Sequence, residues 1–268
     1  MKVGLSTWSL LGVDVYSAVK AIGESGLEYI ELWGEIPHAY PDWIDKAKLK
    51  DSLSPYNMTV TMHAPFTDLN IATRFEPVRG AVERALLDSM KLADYVGVQI
   101  ATFHPGGVHN QALVPRSVDD SASLVRSLIK QTGGRPIINV ENQTMSHSKY
   151  YYPVGSTEES VWELLEKTEA GFTLDTGHAH ASGIAPMKLM DLVGRRLTEV
   201  HLSDNSGEAD EHLVPGAGSA ELSDLLKRIA PTDVLVCLEV DPYTYAPGPA
   251  VQAALKFRSD IDTMVKSS

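Results

Sequence analysis

Short apolar runs rich in β-branched residues alternate along the chain with longer segments of helical spacing. Eight of these runs are predicted to be strands: Lys2–Ser6, Tyr29–Leu32, Thr59–His63, Val98–His104, Pro136–Glu141, Phe172–Asp175, Glu199–His201 and Val234–Glu239. Between them apolar residues recur every three or four positions, as in the stripe Val78, Val82 and Leu86, which predicts amphipathic helices.

Eightfold alternation of strand and helix predicts an α/β protein, folded as a single (β/α)8 barrel domain over residues 1–268. An open, doubly wound sheet is the alternative. That fold usually carries a glycine-rich nucleotide loop after its first strand, and "GLSTWSLLGVD" contains none. The apolar fraction of 43% is enough for a substantial core, and the charged fraction of 22% argues against disorder.

Each of the last six predicted strands ends on a side chain that can bind a metal ion. These residues are His63, His104, Glu141, Asp175, His201 and Glu239. The C-terminal ends of the strands of a (β/α)8 barrel meet at one mouth, where active sites are built. We therefore expect the six side chains to face a common centre. Burying them together without a cation would be costly.

Two further groups of possible ligands follow in the adjacent loops. His178 comes three residues after Asp175, and Asp210 and His212 form a D-x-H pair after the seventh strand. Imidazole and carboxylate without thiolate suit a bound Zn, Mn, Fe, Co or Ni ion better than a structural zinc finger, and the cofactor is predicted to be Zn, Mn, Mg or Co. One to three divalent ions are expected per chain, and the full set of nine ligands implies two or three, with Glu141 or another carboxylate bridging.

The other aromatic and histidine side chains are less specific. Four histidines lie in predicted loops and are interpreted as having no metal role: His38, His109, His147 and His180. Contact with substrate is predicted for four side chains at the expected mouth: Trp8, Trp33, His178 and His180. A Trp at the end of a strand is equally consistent with packing in the core.

Charge and sorting signals narrow the class of partner. The net charge of −12 disfavours broad, nonspecific binding to nucleic acid, which needs a basic face. No run approaches the ~20 apolar residues of a membrane span. The apolar core of the N-terminal segment is too short for a signal peptide. A lone cysteine, Cys237, suits a reducing compartment. The sequence predicts a cytoplasmic protein without a membrane partner.

Seven segments carry a resemblance to a known superfamily. They are "HAPF", "FHPGG", "VENQ", "LDTGHAHASG", "HLSDN", "DEH…GAG" and "CLEVD". At these residues the chain resembles, over nearly its whole length, the xylose isomerase-like TIM barrels, which include sugar isomerases and epimerases and the endonuclease IV-type apurinic/apyrimidinic endonucleases. The endonuclease IV pattern implies three ligand sets: His63, His104 and Glu141; Glu141, Asp175, His201 and Glu239; His178, Asp210 and His212.

The loops at the predicted mouth bear on the choice of reaction. DNA repair members carry Arg, Lys and Gln after the first two strands, whereas "STWSLLGVDVY" and "LWGEIPHAYPDW" contain no Arg or Lys but do contain Asp14, Glu35 and Asp42. The arginine that ketose 3-epimerases carry after the seventh strand is absent from "HLSDNSGEAD".

We therefore predict a metal-dependent isomerase or epimerase acting on a small sugar or sugar phosphate. Proton transfer would pass through a metal-stabilised enediolate, with Glu141 and Glu239 as the catalytic acid/base pair. One alternative is an endonuclease IV-like zinc phosphodiesterase acting on DNA in repair, which the complete set of nine ligands favours. A non-catalytic metal- or sugar-binding barrel is the other.

Overall fold

Eight parallel strands close into a barrel in the computed structural model, which describes residues 1–145 and 150–266. The strands are β1 (Lys2–Ser6), β2 (Tyr29–Trp33), β3 (Thr59–His63), β4 (Ile100–Phe103), β5 (Ile137–Glu141), β6 (Gly171–Asp175), β7 (Leu197–Leu202) and β8 (Leu235–Leu238). Each strand pairs with its sequence neighbours, and β1 pairs with both β2 and β8. The predicted barrel is confirmed. The fourth and eighth strands are shorter than predicted, so His104 and Glu239 lie one residue beyond them.

Nine α-helices are present in the described part of the chain. They are α1 (Val15–Ser25), α2 (Lys46–Leu53), α3 (Glu76–Val96), α4 (Val114–Thr132), α5 (Glu158–Glu166), α6 (Thr176–Ala181), α7 (Pro186–Val193), α8 (Ser223–Ile229) and α9 (Pro247–Lys266). Val82 and Leu86 of α3 are buried as the stripe predicts, but Val78 in its first turn is 50% exposed. No helix among the described residues is long and apolar enough to cross a membrane.

Polar side chains fill the barrel interior below the mouth. Strand residues two apart point to the same face, so each strand contributes an inward row. Glu199 of β7 is fully buried there and accepts hydrogen bonds from the hydroxyl groups of Tyr29, Thr61, Thr102 and Thr173. His201, two residues further along β7, points inward above it and reaches the floor of the mouth.

Candidate metal centre

Three donor atoms at the mouth are spaced like ligands of one metal ion. His63 Nε2 and His104 Nε2 are 3.3 Å apart, and each lies 3.4 Å from Glu141 Oε2. Ligands held tetrahedrally at about 2.0–2.1 Å from a zinc ion are separated by about 3.3–3.4 Å. The ends of β3, β4 and β5 therefore place these three atoms at the spacing that a shared ion requires.

A second group forms where α6 meets the loop after β7. Asp210 Oδ2 lies 3.2 Å from His178 Nε2 and 3.1 Å from His212 Nε2. Asp175 caps the N-terminus of α6 by accepting the backbone N–H of His178, which turns the His178 ring towards the mouth. The D-x-H pair thus joins a histidine that is more than thirty positions earlier in the sequence.

The remaining strand ends converge on His201. Its Nδ1 atom is 3.2 Å from Glu141 Oε1 and 3.7 Å from Glu239 Oε2. Asp175, Glu141 and His201 also form a group with donor atoms close enough to hold an ion. Because Glu141 presents Oε2 to the first group and Oε1 to this one, its carboxylate is positioned to bridge two ions.

The rings of two of these histidines are oriented by backbone carbonyl groups. His63 Nδ1 is 2.9 Å from the carbonyl oxygen of Ala64, and His178 Nδ1 is 2.8 Å from that of Asn142. A carbonyl can only accept, so each Nδ1 carries the hydrogen and donates it. Nε2 of each ring then faces the cluster, and its lone pair can bind a metal ion once the proton there is displaced.

Several carboxylate oxygens in the cluster have no hydrogen-bond donor. Among the described residues, buried oxygens without a partner include Glu141 Oε2, Asp175 Oδ2, Asp210 Oδ1 and Glu239 Oε1. A buried carboxylate oxygen without a donor or a cation is costly. The donor set, its spacing and these unpaired oxygens all fit divalent cations.

Burial and mutual charge shift the pKa values of the cluster in opposite directions. Burial alone would lower the pKa of His63, but the carboxylates around it, Glu141 above all, raise it to about 9. Burial lowers the pKa of His104 to about 4 and raises that of Glu239 to about 8. Burial opposes ionisation of Asp210 too, yet the charges of His178 and His212 hold its pKa far below the usual range. Without metal, the cluster holds protons that a cation would displace.

A cavity of about 470 Å³ lies over the cluster, a size typical of small-molecule sites. Four aromatic side chains form much of its wall: Trp8, Trp33, Phe66 and Tyr151. His63, His104, His178, Asp210, His212 and Glu239 also line it. Among the described lining residues there is no Lys or Arg. Trp8, Trp33 and His178 line this cavity, and their contact with substrate stays a prediction.

Three of the aromatic side chains also pack against histidines of the cluster. The ring centroids are 4.6 Å apart for Trp8 and His212, and 4.9 Å for Trp33 and His63. Phe66 stacks on His104 at 4.3 Å. These aromatic rings therefore restrain the imidazoles while their other surfaces face the cavity. Phe66 was not singled out from the sequence, where "HAPF" offers only an aromatic residue just after the third strand.

His180 is not among the residues that line the cavity. It lies on α6, and its Nδ1 atom is 2.7 Å from Asn205 Oδ1. His38 is buried with Nε2 3.0 Å from the carbonyl oxygen of Val13, and His109 lies in an exposed loop. His147 falls outside the described residues.

Two of the acidic residues near the mouth have structural partners. Asp14 caps the N-terminus of α1 by accepting backbone N–H groups. Glu35 Oε1 accepts the backbone N–H groups of Phe66 and Thr67, both at 2.6 Å. Glu35 thus holds the loop that presents Phe66 to His104, a role that its position in the sequence did not indicate.

Two buried carboxylates under the cluster escaped the sequence analysis. Glu31 and Glu199 are fully buried inside the barrel, and both group with His201. Each lies two residues before a residue that lines or underlies the mouth, Trp33 and His201 respectively, so the strand period places it on the same inward face. That spacing was the available signal.

Comparison with known proteins agrees with this architecture. The sequence pattern of the family described as xylose isomerase-like TIM barrel matches residues 19–261. The chain belongs to this family. An uncharacterized protein of Methanocaldococcus jannaschii is 26% identical over 237 residues, covering 85% of this chain and 79% of its own. Fructoselysine 3-epimerase of Escherichia coli O157:H7 is 22% identical over 242 residues, covering 85% and 86%.

Solved structures share the fold of this family member. A D-tagatose 3-epimerase-like protein superposes with a TM-score of 0.86 at 23% identity, covering 100% of this chain and 99% of its own. The IOLI protein, whose structure contains a zinc atom, gives a TM-score of 0.81 at 17% identity, covering 97% and 98%. At these identities the likeness shows the fold alone.

Proposed function

We propose that the protein is a divalent-metal-dependent epimerase or isomerase of a small sugar. One observation carries this proposal: Glu141 and Glu239 flank the same nitrogen of His201, and Glu239 lines a cavity with aromatic walls. Moving a proton next to a carbonyl group requires two such groups beside one substrate, one to remove the proton and one to return it.

The residues that would hold the central ion are Glu141, Asp175, His201 and Glu239. The outer sets would be His63 and His104 with Glu141, and His178 with Asp210 and His212. A bound divalent ion would polarise the substrate carbonyl and stabilise negative charge on its oxygen. Glu141 and Glu239 remain the proposed acid/base pair, since Glu239 lines the cavity and Glu141 contacts His63 and His104, which also line it.

The cavity wall favours an uncharged substrate over a phosphorylated one. Phosphate groups are usually bound by Arg, Lys or a helix N-terminus, and the described lining residues include neither Arg nor Lys. Trp8, Trp33 and Phe66 offer apolar faces against which the C–H groups of a sugar can pack. The names of the epimerase relatives point to sugar substrates without a phosphate group.

Turnover of a panel of free ketoses, with and without their phosphate esters, tests the proposal. We expect the Mn²⁺- or Co²⁺-loaded protein to interconvert C3 epimers, or a ketose and an aldose, of at least one free sugar. Glu239→Gln, which keeps the size of the side chain, should lower kcat at least 100-fold. Activity on phosphate esters alone would contradict the choice of substrate, and no activity on any sugar would contradict the reaction.

A second candidate function is hydrolysis of a phosphodiester at abasic sites in DNA. The observation that favours it is the presence of all three ligand groups, since multinuclear sites suit in-line displacement at phosphorus. The acidic net charge and the absence of Arg and Lys from the described lining oppose it. Metal-dependent cleavage of an abasic duplex at a rate above that of any sugar conversion would establish it.

A further inference from the structure

The nitrogen of His201 that faces away from the cavity contacts a buried carboxylate. His201 is fully buried, and its Nδ1 atom faces Glu141 and Glu239. Its Nε2 atom lies 2.9 Å from Glu31 Oε2, and Glu31 is also fully buried. Among the described residues, neither of these two atoms has a hydrogen-bond partner. Each is therefore free to pair with the other, which lies 2.9 Å away.

Glu199 is the other carboxylate near this nitrogen, but its oxygens are already occupied. Its nearer oxygen is 4.0 Å from His201 Nε2 and accepts the hydroxyl groups of Tyr29 and Thr61. The farther oxygen accepts those of Thr102 and Thr173. Four hydroxyl donors account for the hydrogen-bonding capacity of the Glu199 carboxylate. Glu31 is therefore the carboxylate that can accept a hydrogen bond from the Nε2–H group of His201.

We propose that Glu31 is a positioning residue for the central metal ion and acts through His201. By taking the Nε2 hydrogen it fixes the tautomer in which the Nδ1 lone pair faces Glu141, Asp175 and Glu239. A carboxylate behind an imidazole also makes the ligating nitrogen more basic. This inference rests on the metal-binding part of the proposed function and not on the reaction that the site performs.

The role of Glu31 parallels that of backbone carbonyls elsewhere in the cluster. His63 and His178 each give their second nitrogen to a carbonyl oxygen, at 2.9 Å and 2.8 Å. His201 sits deeper, with both nitrogens inside the barrel, where the strand carbonyls are paired with neighbouring strands. Glu31, a side chain from β2, therefore supplies the acceptor for His201. The negative charge of Glu31 distinguishes this acceptor from the neutral carbonyl groups behind His63 and His178.

Metal titration of Glu31→Gln, with Glu199→Gln as the matched control, tests the proposal. Both substitutions replace one buried carboxyl group in the barrel interior with an amide of the same volume. In competition with a chromophoric zinc chelator, Glu31→Gln should weaken one equivalent of Zn²⁺ by 10- to 100-fold, the loss on the order expected when an outer partner of a ligand is removed. Glu199→Gln should stay within about threefold of the unsubstituted protein, because its hydroxyl partners can donate to or accept from an amide.

Unchanged Zn²⁺ affinity in Glu31→Gln, or an equal loss in both variants, would overturn the proposal. A further measurement needs no substitution: ¹⁵N-histidine NMR of the Zn²⁺-loaded protein. We expect the His201 ring to show a metal-bound Nδ1 and a protonated Nε2 whose hydrogen exchanges slowly with solvent. A protonated Nδ1 on this ring would exclude the role of Glu31. Both readouts are independent of turnover, so failure of the proposed reaction would leave them interpretable.

Discussion

Loading the metal-free protein with Co²⁺ should release protons, and fewer of them as the pH rises. The pKa values of His63 and His212 are about 9, since neighbouring carboxylates outweigh burial, and that of Glu239 is about 8 because of burial. Together these three groups carry nearly three protons at pH 7.0 and about two at pH 8.5. Ligands must be deprotonated to bind a cation, so proton release from them should fall by about one per chain. His104, with a pKa of about 4, contributes none at either pH.

Isothermal titration calorimetry at the two pH values measures this number directly. In buffers of different ionisation enthalpy, the slope of the apparent binding enthalpy gives the protons released. Glu239→Gln is the control and should reduce the release at pH 7.0 by about 0.9, its share of the total. A release that does not change between pH 7.0 and 8.5, or that increases, would refute the assignment of these groups as protonated metal ligands.

Three further outcomes follow from the same geometry. The pKa values of His63 and His212 are raised from 6.5 to about 9, and this shift stabilises the folded, metal-free protein fully below pH 6.5. The Tm of the metal-free protein should therefore fall as the pH rises from 6.5 to 9. The Tm of a Co²⁺-loaded sample should show no such fall. Asp204 is buried and accepts hydrogen bonds from three backbone N–H groups of segment 216–220. Asp204→Asn should therefore lower the free energy of unfolding, measured by urea titration, by about 1–3 kcal/mol. It should also release one metal equivalent, because it disturbs the loop that carries Asp210 and His212. Glu35→Ala frees the loop of Phe66 and should lower the Tm by a few degrees, on the order of 1 kcal/mol; an unchanged Tm would contradict its proposed bracing role.

The barrel and much of its cluster could be predicted because strand ends are informative in this fold. His63, Glu141 and Asp175 each close an apolar strand, and parallel closure of the sheet brings such ends together whatever their distance in sequence. Asp210 and His212 could be predicted for a different reason, because a D-x-H pair is a recognisable pattern in a polar loop. His178 follows Asp175 closely in the sequence, but its grouping with Asp210 and His212 was implied by the family resemblance and not by spacing.

The side-chain contacts that hold the cluster in place could not be predicted from the sequence. Glu31 lies within the strand run "YIELW", where the strand period places it on the inward face but does not indicate which side chain it contacts. Its partner, His201, lies far along the chain on β7. Only closure of the barrel brings His201 Nε2 within 2.9 Å of Glu31 Oε2. Glu35 looked like part of an acidic entrance, but its carboxylate is used to hold a neighbouring loop. Side-chain contacts of this kind depend on three-dimensional register, which local pattern does not encode.

The proposed function is the movement of a proton on a sugar carbon with the help of a divalent metal ion. Incubation of the Co²⁺-loaded protein with a free ketose in D₂O, followed by NMR, tests it most directly. We expect deuterium at the carbon next to the carbonyl in the converted sugar, with incorporation lost on chelation and in Glu141→Gln. Protein that retains its metal but gives no deuterium incorporation with any ketose, while cleaving an abasic duplex, would contradict it.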